Sequence, residues 1–320
     1  MTVRSRSAAT ALAGLTATAL ALTACGTGDQ AAPGGGDKIK VIASTNVWAS
    51  VVQAVGGDGV EVESIIKDPS ADPHSYESSP QDAAKVTEAQ LVVLNGGGYD
   101  EFMEQILGNG GQGKPTVEAF KDEHAQPAGE HGAADEHDHG GHDHSVNEHV
   151  WYDMHVVHEV ADQVATELGK LQPAKTEQFH QAADRFEQQV DALEGRVGEI
   201  AAANHGKRVI VTEPVAHYLV EAAQLQDITP PGFVNAVEAE SDPSAAAVAE
   251  IQNVVNAKQA AAVIYNPQTE SPVTRNVRAA AEQNQTPVVE MTETLPQDKT
   301  YVQWMDAQIT ALQNALNQNR

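Results

Sequence analysis

The 320 residues include a single cysteine, Cys25. No internal disulfide can form, and no cysteine-based zinc site is available. Cations are also scarce: 19 Lys and Arg stand against 45 Asp and Glu, a formal charge of −26. That balance argues against nucleic acid or an anionic membrane surface as a partner and suits a protein that meets cations. Beyond the N-terminal stretch no apolar run approaches the ~20 residues needed to span a bilayer. There is no Walker A sequence, so an ATP-driven step would need another chain.

The N-terminal stretch reads as a targeting segment. Arg4 and Arg6 precede the small, apolar run Ala8 to Ala24, which ends in "LTAC" before Gly26. The placement of Cys25 resembles a bacterial lipobox, whose cysteine becomes lipidated. Residues 1–25 are therefore expected to be a lipoprotein signal with its lipidated Cys25. The Gly-rich stretch 26–37 is expected to be a flexible tether.

The body shows two α/β patterns separated by a long helix. Strands are expected at Lys40–Ala43, Val60–Lys67, Leu91–Asn95 and Thr116–Glu118, with helices near Val47–Val55 and Gln81–Glu88. Residues 121–147 lack apolar periodicity and read as a mobile loop. Eight acids lie within 121–149, and six histidines, His124, His131, His137, His139, His142 and His144, punctuate the loop. Helices follow at His155–Leu171 and Thr176–Asn204. In the second, Phe179, Ala182, Ala183, Phe186, Val190, Leu193, Val197 and Ile200 fall near one face. The α/β pattern restarts with strands at Lys207–Glu213, Ala260–Asn266 and Pro287–Glu293. Helices are expected at Val215–Ala223, Pro243–Asn256, Pro272–Gln283 and Tyr301–Ala315. The fold class is α/β: two lobes, 38–174 and 206–320, each with a mostly parallel sheet flanked by helices, joined by one long rigid helix over 175–205.

Open α/β sheets bind ligands beyond the carboxyl ends of their strands. His74 follows the second strand in a loop braced by Pro69, Pro73 and Pro80. His149 stands beside Trp151 and Tyr152 ahead of a helix. Glu213 ends a strand before Pro214, with His217 one helical turn later as a rival. Glu293 ends the last strand, Glu290 alternates with it, and Glu270 is another acid at a strand end. "HVVHE" (His155 to Glu159) has neither the H-E-x-x-H nor the H-x-x-E-H order of a zinc hydrolase.

The order of "DPHSYE", an acidic His-rich insert, "NEHVWYD", a long helix, "VTEPVAHYL", "ESDPS", "VIYNPQTES" and "TETLPQDKTYVQWM" resembles the zinc- and manganese-binding lipoproteins of bacterial ABC importers. The resemblance covers about residues 38–318. It implies a metal held between two lobes by His74, His149, Glu213 and Glu293. Glu213 stands where many zinc-binding members have histidine, so manganese is the alternative to zinc. Glu270 matches no ligand of the family. The insert histidines would form an auxiliary, weaker zinc-collecting loop. Partners implied are a permease and its cytoplasmic ATPase, with the chain lipid-anchored on the outer face of the cell membrane. A monomer without catalytic activity is expected. Rival readings are a surface adhesin or metal buffer, and a secreted zinc hydrolase.

Overall fold

The computed structural model describes residues 38–111, 113–121, 147–239 and 241–318. Cys25 and the insert histidines His124, His131, His137, His139, His142 and His144 lie outside the described residues.

The first sheet holds β1 (Ile39–Thr45), β2 (Val60–Ile66), β3 (Leu91–Leu94) and β4 (Thr116–Glu118) in the order β2-β1-β3-β4, all parallel. The second holds β5 (Arg208–Val211), β6 (Gln226–Asp227), β7 (Ala262–Tyr265) and β8 (Val288–Glu290) in the order β6-β5-β7-β8, again parallel. The two sheets thus share one permutation. The central strands β3 and β7 are continuous apolar runs, as sheets covered on both faces require; every residue of both is buried.

Helices α1 (Asn46–Gly56), α2 (Pro80–Glu88), α3 (Glu101–Gly110) and α4 (Met154–Leu171) accompany the first sheet. Helices α6 (His217–Ala222), α7 (Pro231–Glu238), α8 (Ala245–Asn256), α9 (Pro272–Gln283) and α10 (Tyr301–Gln318) accompany the second. Between them runs α5 (Thr176–Asn204), 29 residues and about 44 Å long at 1.5 Å per residue. Its buried stripe is Phe179, Ala183, Phe186, Val190, Leu193, Val197, Ile200 and Ala201. From Phe179 to Ile200 that stripe belongs to one apolar cluster that also holds Val41 and Val93 of the first sheet and Val209 and Ile264 of the second.

Three features depart from the sequence reading. Helices α3 and α7 and the two-residue strand β6 were not expected; α3 and α7 carry an amphipathic pattern over only 10 and 8 residues. The strands expected to reach Glu213 and Glu293 stop at Val211 and Glu290. Both acids therefore sit in the turns beyond their strands. The expected helix from Val215 begins as a single tight turn, Pro214–Ala216, before α6.

Polar bonds run from one α/β half to the other. Asn46 donates from Nδ2 to the Leu295 carbonyl and accepts at Oδ1 from the Leu295 N–H, both at 2.9 Å. Tyr301 donates its hydroxyl to the Trp151 carbonyl at 2.8 Å. Gln268 reaches the Ala71 carbonyl at 2.9 Å, and Thr294 the Pro69 carbonyl at 3.0 Å.

Candidate metal centre

His74, His149, Glu213 and Glu293 each offer one ligand atom, and these four atoms lie within 4.8 Å of one another. Residues far apart in sequence and drawn from both sheets thus meet at one point.

His74 is placed by its loop. Its N–H donates to Asp72 Oδ1 at 3.0 Å, and the Ser75 hydroxyl donates to the other oxygen of Asp72. Downstream, Ser79 and Asp82 cap α2 reciprocally, and the Tyr76 hydroxyl donates to Asp82 at 3.0 Å. The imidazole meets the Tyr99 ring edge-on, centroids 4.8 Å apart. Tyr99 in turn depends on the turn after β3, where Gly96 has φ +78° and a Cβ would lie 2.2 Å from Glu118 Oε1. A side chain there would meet both backbone strain and a collision. The Asp100 carboxylate accepts from the N–H groups of Asn95 and Gly96, at 2.6 and 2.8 Å, and closes the turn.

His149 is fully buried, packed against Trp151 with centroids 5.2 Å apart. Its Nδ1 lies 3.0 Å from Asn147 Oδ1. Its Nε2 is buried and has no hydrogen-bond partner among the described residues. A buried, unpaired nitrogen is costly unless something binds it. Burial pushes the His149 pKa well down, helped by His74 and His217, so the imidazole is neutral, the form that ligates metal. Asn147 is itself held: its Nδ2 donates to the Pro214 carbonyl at 2.8 Å and its carbonyl accepts from Tyr218 at 2.6 Å. The sequence reading had placed it inside a mobile loop.

Glu213 and Glu293 are 3% and 0% exposed. Glu213 follows β5 and Asn266 follows β7, the two strands between which the order of the second sheet reverses, the usual binding crevice of such folds. Asn266 Nδ2 donates to both acids, 2.6 Å to Glu213 Oε2 and 2.7 Å to Glu293 Oε1. Thr269 also donates to Glu213 Oε2, and Tyr99 donates to Glu293 Oε2 at 3.1 Å. His74 Nε2 stands 3.6 Å from the same Glu293 oxygen. Burial raises the Glu213 pKa to about 7 against the pull of the Thr269 and Asn266 hydrogen bonds. Glu293 is pushed well up by burial and then by the charge of Glu213. Two buried carboxylates side by side resist ionisation until a cation arrives. The donor set of two imidazoles and two carboxylates fits a divalent transition metal.

A second group, Glu148, His149 and Glu238, also brings its ligand atoms within 4.8 Å. Glu238 lies at the end of α7, and burial together with Glu148, Glu213 and Asp72 raises its pKa to about 9.

The other candidates fall elsewhere. His217 has a half-exposed side chain 3.8 Å from Glu221 and belongs to neither group. Glu270 pairs with Tyr265 and Arg275, and Glu290 with Arg278 at 2.9 Å. His155 is exposed on α4, 3.5 Å from Glu159, and His158, partly buried between α4 and α5, lies 3.5 Å from Asp191. Sequence reasoning missed Asn147, Asn266, Thr269, Tyr99 and Glu238. Asn266 occupies a strand end, the same signal that singled out the acids, but neutral amides were not sought there.

The family model described as "ZnuA: Zinc-uptake complex component A periplasmic" matches residues 41–315. Among curated relatives, the zinc-binding lipoprotein AdcA of Streptococcus pneumoniae is 25% identical over 308 residues, covering 94% of this chain and 59% of AdcA. The manganese-binding lipoprotein MntA of Bacillus subtilis is 29% identical over 196 residues, 60% of each chain. The matches thus span about three fifths of these relatives' own length. Among solved structures, the periplasmic zinc-binding protein TroA of Treponema pallidum superposes with a TM-score of 0.68 at 20% identity, covering 87% of this chain and 99% of that one. FpvC of Pseudomonas aeruginosa, in complex with Mn2+, gives 0.70 at 18% identity, covering 88% and 100%.

Proposed function

Because the chain belongs to the family of periplasmic zinc-uptake component A proteins, we propose that it is the extracytoplasmic binding component of an ABC importer and that its cargo is zinc. The observation that carries this reading is the meeting of His74, His149, Glu213 and Glu293 around one point between the two sheets. Four protein ligands close a tetrahedral sphere, whereas catalytic zinc keeps a position for water. The role is therefore capture and delivery rather than hydrolysis. A transmembrane permease and a cytoplasmic ATPase are the implied partners.

Manganese is the second reading. Two carboxylates make the site harder than a three-imidazole one, and oxygen ligands favour manganese. The two imidazoles, one of them with a buried unpaired nitrogen, favour zinc.

In this reading Cys25 carries a lipid anchor, residues 26–37 are a tether, and the lobes span 38–174 and 206–320. His124, His131, His137, His139, His142 and His144 serve as an auxiliary, weaker zinc-collecting segment. Replacing Cys25 by Ala should release the folded protein from membranes.

Protein purified without added metal should contain one tightly held ion by elemental analysis, and zinc should displace manganese in competition calorimetry. His74→Ala and Glu213→Gln should each weaken that site by at least about 100-fold, at or beyond the top of the range for outer-shell substitutions, while His217→Ala should not. Unchanged affinity in His74→Ala and Glu213→Gln would overturn the ligand set. A tighter site for manganese would reverse the choice of metal.

A further inference from the structure

Asn266 is buried, and its amide is oriented unambiguously. Oδ1 accepts the N–H of Gln268 at 3.0 Å, which turns Nδ2 toward the acids. The two hydrogens of that nitrogen go to two different carboxylates, Glu213 Oε2 and Glu293 Oε1. Each acid has a further hydrogen bond, Glu213 Oε2 from Thr269 and Glu293 Oε2 from Tyr99. The Glu293 backbone is pinned as well, its N–H donating to Gln268 Oε1 at 2.6 Å. Neither carboxylate can rotate without breaking a charge-assisted hydrogen bond in a dry site, where such bonds are strongest.

We infer that Asn266 is a positioning residue that determines metal selectivity by holding Glu213 and Glu293 to one ligand oxygen each. The inference rests on the metal-site reading above. A carboxylate can bind a cation through one oxygen or two. With Glu213 Oε2 and Glu293 Oε1 turned to the same amide, Glu213 presents Oε1 to the centre and Glu293 presents Oε2, which accepts from Tyr99 on one lone pair and faces His74 Nε2 at 3.6 Å. Two such oxygens and two imidazole nitrogens make four donors. Four donors suit zinc; manganese prefers octahedral, oxygen-rich surroundings. Without the amide each acid is held by one remaining hydrogen bond, Glu213 by Thr269 and Glu293 by Tyr99, and is freer to turn and present two oxygens, which would raise the donor number to six. Thr269 acts in the same direction on Glu213 alone, so its removal should have a smaller effect.

Cobalt(II) at one equivalent tests this directly, because four-coordinate Co2+ absorbs visible light far more strongly than six-coordinate Co2+. Wild-type protein should show the intense four-coordinate band. Asn266→Ala should lose most of that intensity, and its preference for zinc over manganese should fall by about tenfold, the scale of outer-shell effects. Thr269→Ala should shift both readouts the same way by less. If Asn266→Ala does not fold, as judged by circular dichroism, the Thr269→Ala result decides. An unchanged cobalt band, or equal weakening of zinc and manganese, in the folded variant would overturn the proposal and leave Asn266 a purely structural residue. The metal-site reading fails by a different result: wild type and His74→Ala binding zinc equally well.

Discussion

Asn147 Oδ1 lies 3.0 Å from His149 Nδ1, while Asn147 Nδ2 donates to the Pro214 carbonyl at 2.8 Å. The second contact orients the amide, so its oxygen must be the group facing the imidazole. Nδ1 therefore carries the proton, and the lone pair is on Nε2, the buried nitrogen without a partner. One side chain sets the tautomer of His149 and touches the residue next to Glu213.

Asn147→Ala should accordingly leave His149 as a mixture of tautomers in the metal-free protein, read by nitrogen-15 NMR of the imidazole. Metal affinity should drop by about 10- to 100-fold, as for other outer-shell partners of ligating histidines. Asn147→Asp keeps the acceptor and should keep the single tautomer. A single tautomer in the alanine variant would show that something else orients the ring.

Glu238 predicts a pH dependence. Its pKa is about 9 in the folded chain, raised by burial and by three neighbouring acids, against an ordinary value of 4.5. A carboxyl raised on folding costs nothing below its unfolded pKa. Its cost then grows with pH until the folded pKa is passed. Glu238→Gln should thus leave the melting temperature of the metal-free protein unchanged near pH 4 and raise it progressively up to about pH 9. A gain independent of pH would contradict the assignment.

Asn46 closes a reciprocal pair with both backbone groups of Leu295, which is buried. Asn46→Ala strands an N–H and a C=O together. It should destabilise the protein by about 2 kcal/mol, measured by denaturant unfolding, with zinc stoichiometry at the tight site still one.

Deleting Glu123 to His144 separates the insert from the centre. His149 and its partner Asn147 lie beyond the cut, so calorimetry should retain one tight zinc site and lose the weaker ones. Zinc titrations should change more than manganese titrations, because the removed donors are mostly imidazole. Loss of the tight site would place the principal ligands in the insert.

Much of the architecture was legible before any coordinates. The apolar stripe from Phe179 to Ile200 keeps a helical period along most of the 29-residue α5, and the strand cores are short β-branched runs. Those signals are local, so sequence alone carries them. The elements it missed, α3, α7 and β6, span only 10, 8 and 2 residues, lengths at which stability comes mainly from tertiary packing. His74, His149, Glu213 and Glu293 could be named because each stands at a motif or near a strand end.

The resemblance implied that those four residues act together; that their ligand atoms lie within 4.8 Å of one another is a feature of the tertiary structure. The resemblance put Glu213 among the ligands and left His217, one helical turn away, as its rival; in the fold Glu213 is buried while the His217 side chain is half exposed. The hydrogen-bond partners were beyond reach of sequence reasoning. Asn266 joins Glu213 and Glu293 across sequence gaps of 53 and 27 residues, and Asn147 meets Pro214 across 67. Residue type and spacing dictate local backbone preference and the buried face of each element. The orientation of a carboxylate or an imidazole depends on groups that become neighbours only when the sheets pack around α5, and no local pattern encodes them.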